Sequence, residues 1–117
     1  MMTLTLPIPP STNALFATVR TRTGGTRRVT SLAYSRWQWA AFVAIRDANP
    51  VRVVGPYAVS IAIPHTSRMD ADNACKAVLD ALVKHGVTED DRRCVRVVAE
   101  KRADVPAGLC RVSVDPA

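Results

Sequence analysis

Thr3-Leu4-Thr5-Leu6 alternates polar and apolar positions and predicts a short strand, ended by Pro7, Pro9 and Pro10. Ser11-Thr12-Asn13 behind the prolines is turn chemistry. From Phe16 to Val29 the chain is polar and basic around Gly24-Gly25, the pattern of an exposed hairpin carrying Arg20, Arg22, Arg27 and Arg28. Ser31 is placed to cap a helix that reaches about Ala48, with Tyr34, Trp37, Ala41 and Ile45 near helical spacing on one face. Asn49-Pro50 closes it. That spacing assigns Trp37 to the core and leaves Trp39 open.

The second half reads strand, helix, strand. Val53 to Pro64 is expected to be extended, because Tyr57, Val59, Ile61 and Ile63 alternate with smaller residues. His65 to Met69 is a polar loop. A second helix follows, capped around Asp72 or Asn73, with Cys75, Val78, Leu79, Leu82 and Val83 as its buried stripe and Gly86 at its C-terminal cap. Thr88 to Arg93 is a charged turn. Cys94 to Lys101 and Leu109 to Val114 are expected strands joined by a turn at Pro106 and Gly108. The helix is long enough for a right-handed crossover between parallel strands, with antiparallel placement as the alternative. No internal repeat or low-complexity tract interrupts the chain.

The length of 117 residues allows one domain, spanning 1–117. A composition 48% hydrophobic and 22% charged excludes a disordered chain. A chain this short buries a modest share of its surface, so a second copy would help. Charge changes the picture more. Sixteen basic residues face ten acidic ones, for a net charge of +6, and four of the ten acids are Asp70, Asp72, Asp90 and Asp91. The rest of the surface is therefore more strongly positive, and nucleic acid is a better partner than a generic basic protein would need. Cys75, Cys94 and Cys110 have no C-x-x-C spacing, so neither a disulfide framework nor a zinc site is implied. All three read as small buried hydrophobes of a reducing compartment. The first ten residues lack a charged segment and a long apolar run, so no signal peptide, no membrane span and a cytoplasmic location are expected.

Between positions 70 and 91 five aspartates, together with Asn73 and Lys76, surround a short apolar pattern. Carboxylate oxygens are the ligands Mg²⁺ prefers, and Mg²⁺ is a usual partner of phosphodiesters. Asp70 and Asp72 sit two apart at the end of a strand, where extended backbone would aim both at one ion. Asp72 alone is equally well explained as a helix cap, but Asp70 is outside capping reach. Lys76 lies four residues from both Asp72 and Asp80 on one helical face. It either forms an i,i+4 ion-pair ladder or stands beside a scissile phosphate. Asp90 and Asp91 lie beyond a helix of roughly 20 Å. Asp91 can return to Asp70 only through about 17 Å of extended chain, or it must come from a second subunit. Asn73 is a cap, a ligand or a substrate contact. His65 and His85 have no metal-like partner, and no glycine-rich phosphate loop or recognisable Ser or Cys nucleophile is present.

The run Asp70-x-Asp72-Asn73-x-x-Lys76-x-x-x-Asp80-Ala81-Leu82, with Gly86, Asp90-Asp91, Val97 and Lys101, resembles the RusA family of Holliday-junction resolvases. The opening Leu6-Pro7-Ile8-Pro9-Pro10-Ser11-x-Asn13 is similar to that family's start. The resemblance implies a homodimeric α+β protein with a small mixed sheet and two main helices, bacterial and often carried by phages or prophages. It implies an endodeoxyribonuclease that resolves four-way junctions by paired, Mg²⁺-dependent nicks in recombination and repair, with Mn²⁺ as an alternative ion. Asp70, Asp72 and Asp91 would be the metal-binding carboxylates and Lys76 the essential basic residue. Asn73, Asp80 and Asp90 would stand one layer out. Asn13, Arg20, Arg22, Arg27, Arg28, Arg68 and Lys101 are the expected DNA contacts. Ala14 and Leu15 depart from the aromatic and basic residues the family often has there. The competing readings are a non-catalytic DNA-binding protein and a nuclease for other branched or duplex DNA.

Overall fold

The computed structural model describes residues 2–117; Met1 lies outside them. Four strands form one mixed sheet: β1 (Met2–Pro7), β4 (Tyr57–Pro64), β5 (Cys94–Arg102) and β6 (Leu109–Pro116), in the order β1-β6-β4-β5. β6 is antiparallel to both β1 and β4, whereas β4 and β5 are parallel. Two short strands, β2 (Phe16–Arg20) and β3 (Thr26–Thr30), make a separate antiparallel hairpin. The helices are α1 (Leu32–Ala48) and α2 (Cys75–Lys84), and α2 supplies the crossover that parallel strands require.

Period-two alternation explains the sheet. Tyr57, Val59, Ile61 and Ile63 of β4 are buried together with Leu4 and Leu6 of β1 and Cys110, Val112 and Val114 of β6. Tyr34, Trp37, Ala41 and Ile45 of α1 and Ala77, Val78, Ala81 and Leu82 of α2 complete that core. The opposite face of the sheet is polar, with Thr3, Thr5 and Ser60 exposed. The α1 cap is as expected: the Ser31 hydroxyl accepts from the Tyr34 N–H at 3.1 Å. Trp37 is buried, and its indole N–H donates to the Pro7 carbonyl at 2.7 Å, clamping α1 to the end of β1.

Two element starts differ from expectation. β4 begins at Tyr57, not Val53, because Gly55 adopts φ +83° and Pro56 has no N–H to donate. Val53 instead bridges to Thr88. Helix α2 begins at Cys75, and its cap position is Ala74, which makes no side-chain cap bond. Asp72 and Asn73 therefore do not cap it by side chain; backbone turns precede it, with Asn73 N–H on the Asp70 carbonyl (3.0 Å) and Cys75 N–H on the Asp72 carbonyl (3.1 Å). The buried stripe of α2 is built largely of small residues, Ala77 and Ala81 among them, while Cys75, Leu79 and Val83 are only half-buried. Of the cysteines Cys110 alone is fully buried; all three are free. Burial pushes the Cys110 thiol up to about 12. Among the described residues no helix is long and apolar enough to cross a membrane.

Candidate metal and DNA site

The loop between β4 and α2 is fixed at both ends. His65 N–H donates to the Arg102 carbonyl (3.1 Å), and the Lys101 ammonium donates to the Ser67 carbonyl (3.0 Å). Farther along, the Thr12 hydroxyl donates to the Asn73 carbonyl (3.1 Å). Thr12 belongs to a single 3-10 turn, Thr12–Ala14, that follows the prolines. The N-terminal segment is thus seated on the loop that carries the carboxylates. Asp70 and Asp72 are exposed, and among the described residues neither is in a salt bridge. A turn, not the extended backbone expected from their spacing, separates them.

Of the Asp72–Lys76–Asp80 ladder only the second rung forms, Lys76 to Asp80 at 3.6 Å. Lys76 remains half in solvent. Asp80 also faces α1: burial raises the Tyr34 hydroxyl pKa, and the Asp80 charge raises it further. On the other side, burial and then the nearby Asp72 charge raise the Cys75 thiol. Asn73 serves the site through its carbonyl, as the anchor for Thr12.

Asp90 and Asp91 lie elsewhere. A 3-10 turn, Asp91–Arg93, opens β5, and Asp90 caps it by accepting from the Arg92 N–H at 2.9 Å. That bond, with the Arg92 guanidinium at 3.2 Å, holds the Asp90 carboxyl down at about 2. The Asp90 carbonyl accepts from the Tyr57 hydroxyl at 3.1 Å. Asp90 is therefore used in building the turn, while Asp91 is exposed. Parallel register sets Cys94 beside Tyr57 and Arg102 beside Pro64. Asp91 consequently lies at the start of β4, and Asp70 and Asp72 lie beyond its end. The strand between them runs about 23 Å at roughly 3.3 Å per residue. The turn after α2 does not fold back, and among the described residues no three His, Cys, Asp or Glu side chains of one chain gather as a metal site.

The hairpin presents its arginines outward. Arg20, Arg22, Arg27 and Arg28 are exposed; the Arg28 guanidinium lies 3.7 Å over the Phe16 ring, and Phe16 meets Tyr34 edge-on at 5.9 Å. Arg68 and Asn13 are exposed beside the loop, and Lys101 is engaged with Ser67. Two features escaped sequence reasoning. Thr12 carried no signal beyond its turn propensity. Trp39, left open by its spacing, is 66% exposed and leans on Phe42 at 5.5 Å.

A family model described as Endodeoxyribonuclease RusA matches residues 7–114, from the end of β1 into β6. The chain belongs to the RusA endodeoxyribonuclease family. RusA proteins are DNA endonucleases that depend on divalent metal, and the match runs through both acidic segments and the arginine hairpin. No curated protein sequence gives a significant match. Asp70 and Asp72 suit a hard divalent ion: they are oxygen donors on a pinned loop, open to solvent, with no salt bridge among the described residues.

Proposed function

We propose that this RusA protein is a Mg²⁺-dependent endonuclease that resolves four-way DNA junctions by paired nicks. The observation that carries the reading is the pinned, solvent-open Asp70–Asp72 loop in a basic chain whose family cuts DNA. Asp70 and Asp72 would hold the ion, as two carboxylates suffice for a cation that keeps most of its waters. When bound, a divalent ion supplies Lewis acidity toward the phosphodiester and acidifies water at neutral pH. Lys76, half exposed in the first turn of α2, offsets the charge that builds on the phosphate. Asp80 positions Lys76 through their ion pair. Arg20, Arg22, Arg27 and Arg68 hold backbone phosphates, which fixes orientation with little reading of bases. A dimer would offer two such sites to a junction of near-twofold symmetry, so that paired cuts follow from the symmetry of the protein.

The test is cleavage of an end-labelled synthetic four-way junction with and without Mg²⁺, beside linear duplex and flap substrates of the same sequence. Paired, symmetric nicks confined to the junction and abolished by chelation are expected. Binding without nicking would leave a DNA-binding protein. Equal cutting of duplex or flap would remove the junction preference.

A further inference from the structure

We infer that the pocket between α1 and the end of α2 holds one unpaired base of the bound DNA, stacked on Trp39 with Lys84 on a neighbouring phosphate. This rests on the nuclease reading above and adds to it a base site away from the carboxylate loop.

Trp39 is 66% exposed, whereas Trp37 on the same helix is buried. Its ring leans on Phe42 at 5.5 Å, and Phe42 leans in turn on His85 at 5.1 Å, tilted by 42° and 45°. Single apolar side chains on a surface need no explanation, but rings packed together and left in solvent do. The three rings, with Ser35, Gln38 and Lys84, line a pocket of about 290 Å³. Ligand sites run from roughly 300 to 1,000 Å³, so this one suits a single planar base. Gln38 and Ser35 offer donors and acceptors for a base edge. Burial, and then Lys84, hold the His85 imidazole below its ordinary 6.5, so at neutral pH that wall carries no charge.

The charges select the occupant. Lys84 lines the pocket, Arg36 stands one turn from Trp39, and the Arg46 guanidinium lies 5.8 Å from the centre of the Phe42 ring. Among the described residues Lys84 and Arg36 form no ion pair, while Asp47 and Asp80 are already paired with Arg46 and Lys76. Open aromatic faces among free cations are how proteins hold single strands. A duplex hides the faces of its bases in the stack, so only an unpaired base can use this platform. A base at an interrupted stack, as at a branch point, is the least costly to release.

α2 joins the pocket to the cutting site. Lys76, Asp80 and Lys84 follow at four-residue spacing on one helical face. Lys84 is about 12 Å beyond Lys76 at the helical rise of about 1.5 Å per residue. A strand with its scissile phosphate at Lys76 covers that distance in roughly three to four nucleotides, at about 3.4 Å each. Tyr34 closes the wall between: burial and then Asp80 raise its hydroxyl pKa, and a hydrogen bond with Gln38 lowers it.

Fluorescence reads the pocket directly, because Trp37 and Trp39 are the only tryptophans and Trp37 is buried. In EDTA, a short oligothymidylate should quench the wild type and leave the emission of Trp39→Ala unchanged. Trp39→Ala should bind it about tenfold more weakly, the loss of one base–aromatic stack, and Trp39→Phe should recover most of that affinity. Lys84→Ala should lower the log–log salt slope by about 0.7, the value for one single-strand phosphate. On a four-way junction, an abasic position roughly three to four nucleotides from the nick should weaken binding of the wild type and not of Trp39→Ala. Circular dichroism of Trp39→Ala should match the wild type, since the side chain is exposed. Unquenched emission, or Trp39→Ala binding within about threefold of the wild type, overturns the platform and leaves this surface to a protein partner. Equal quenching by thymidine monophosphate would make it a mononucleotide site and overturn the DNA assignment. Quenching without any nicking in Mg²⁺ upholds the pocket and sinks the nuclease reading alone. Normal nicking by a Trp39→Ala protein that binds as the wild type does sinks the pocket alone.

Discussion

Replacing Asp72 by Asn should separate folding from chemistry. The side chain is exposed, makes no salt bridge and does not cap α2, whose start rests on backbone bonds. Substitutions at such surface positions stay within about 0.5 kcal/mol. In a chain of this size that corresponds to a shift of only about 2–3 °C in Tm. The catalytic loss should be far larger. Two unit charges about 4 Å apart interact by roughly 4 kcal/mol at an effective dielectric of about 20, a lower bound for a carboxylate beside a divalent ion. Expressed as a barrier, that is about a thousandfold in rate. Junction affinity should be equal or higher, because an acid beside phosphate is gone. Single-turnover cleavage of a labelled junction gives the rate, gel shift in EDTA gives affinity, and thermal denaturation gives stability. Asp47→Asn, in the last turn of α1 against Arg46, is the control for a surface acid away from the site. An Asp72→Asn protein that cleaves within tenfold of wild type would refute the assignment. So would a loss of Tm of more than about 5 °C, which would make its inactivity a folding defect.

Junction binding should weaken steeply with salt, and Arg27→Ala should reduce the log–log slope by about 0.9, the value for one phosphate contact. Arg28→Ala should lower it less, since that guanidinium is laid over Phe16; equal slopes for the two would contradict the arm geometry. Ser31→Ala, which removes the acceptor for the Tyr34 N–H, should lower unfolding free energy by about 1 kcal/mol in urea. Burial, reinforced by Lys84, holds the His85 imidazole below its ordinary value of 6.5. The unfolded chain then binds the proton more readily, so stability should rise as pH climbs toward about 6.5 and level off above it. Urea midpoints at pH 5 and 7.5 check the sign, and a higher midpoint at pH 5 would refute it.

Much of this arrangement is legible in the residues. The Ser31 cap, the Trp37 face, the Gly24-Gly25 hairpin and the alternation from Tyr57 onward are local signals, each complete within a few positions. The order of the strands is not local. Whether β5 would lie parallel or antiparallel to β4 depends on where α2 returns the chain, and periodicity is silent on that. The acidic cluster shows the same limit. Asp70 and Asp72 are near in sequence and stay near in space, whereas Asp91 is near in sequence and at the far end of the sheet. A parallel crossover guarantees that separation, because the residue before the second strand always lies opposite the residue after the first. Asp and Asn are strong caps by propensity and point to a helix start at 72 or 73, while α2 starts at Cys75 because the loop is organised by Thr12 and Lys101 from distant parts of the chain. The RusA pattern added what spacing could not: a reason to read Lys76 as more than one rung of an ion-pair ladder.

The hairpin of β2 and β3 has no third strand, and its attachment to the body is a few contacts around Leu15, Phe16 and Ser31. Two-stranded ribbons are marginal on their own. Its amides should therefore exchange with solvent through a small local opening, while those of β4 wait for the whole domain to unfold. The arm is then a separate thermodynamic compartment. Ordering it costs conformational entropy at the moment DNA is gripped, and that cost falls on affinity, not on the carboxylate loop. A sequence can thus vary the arm's grip, by an arginine more or less, without disturbing the placement of Asp70 and Asp72.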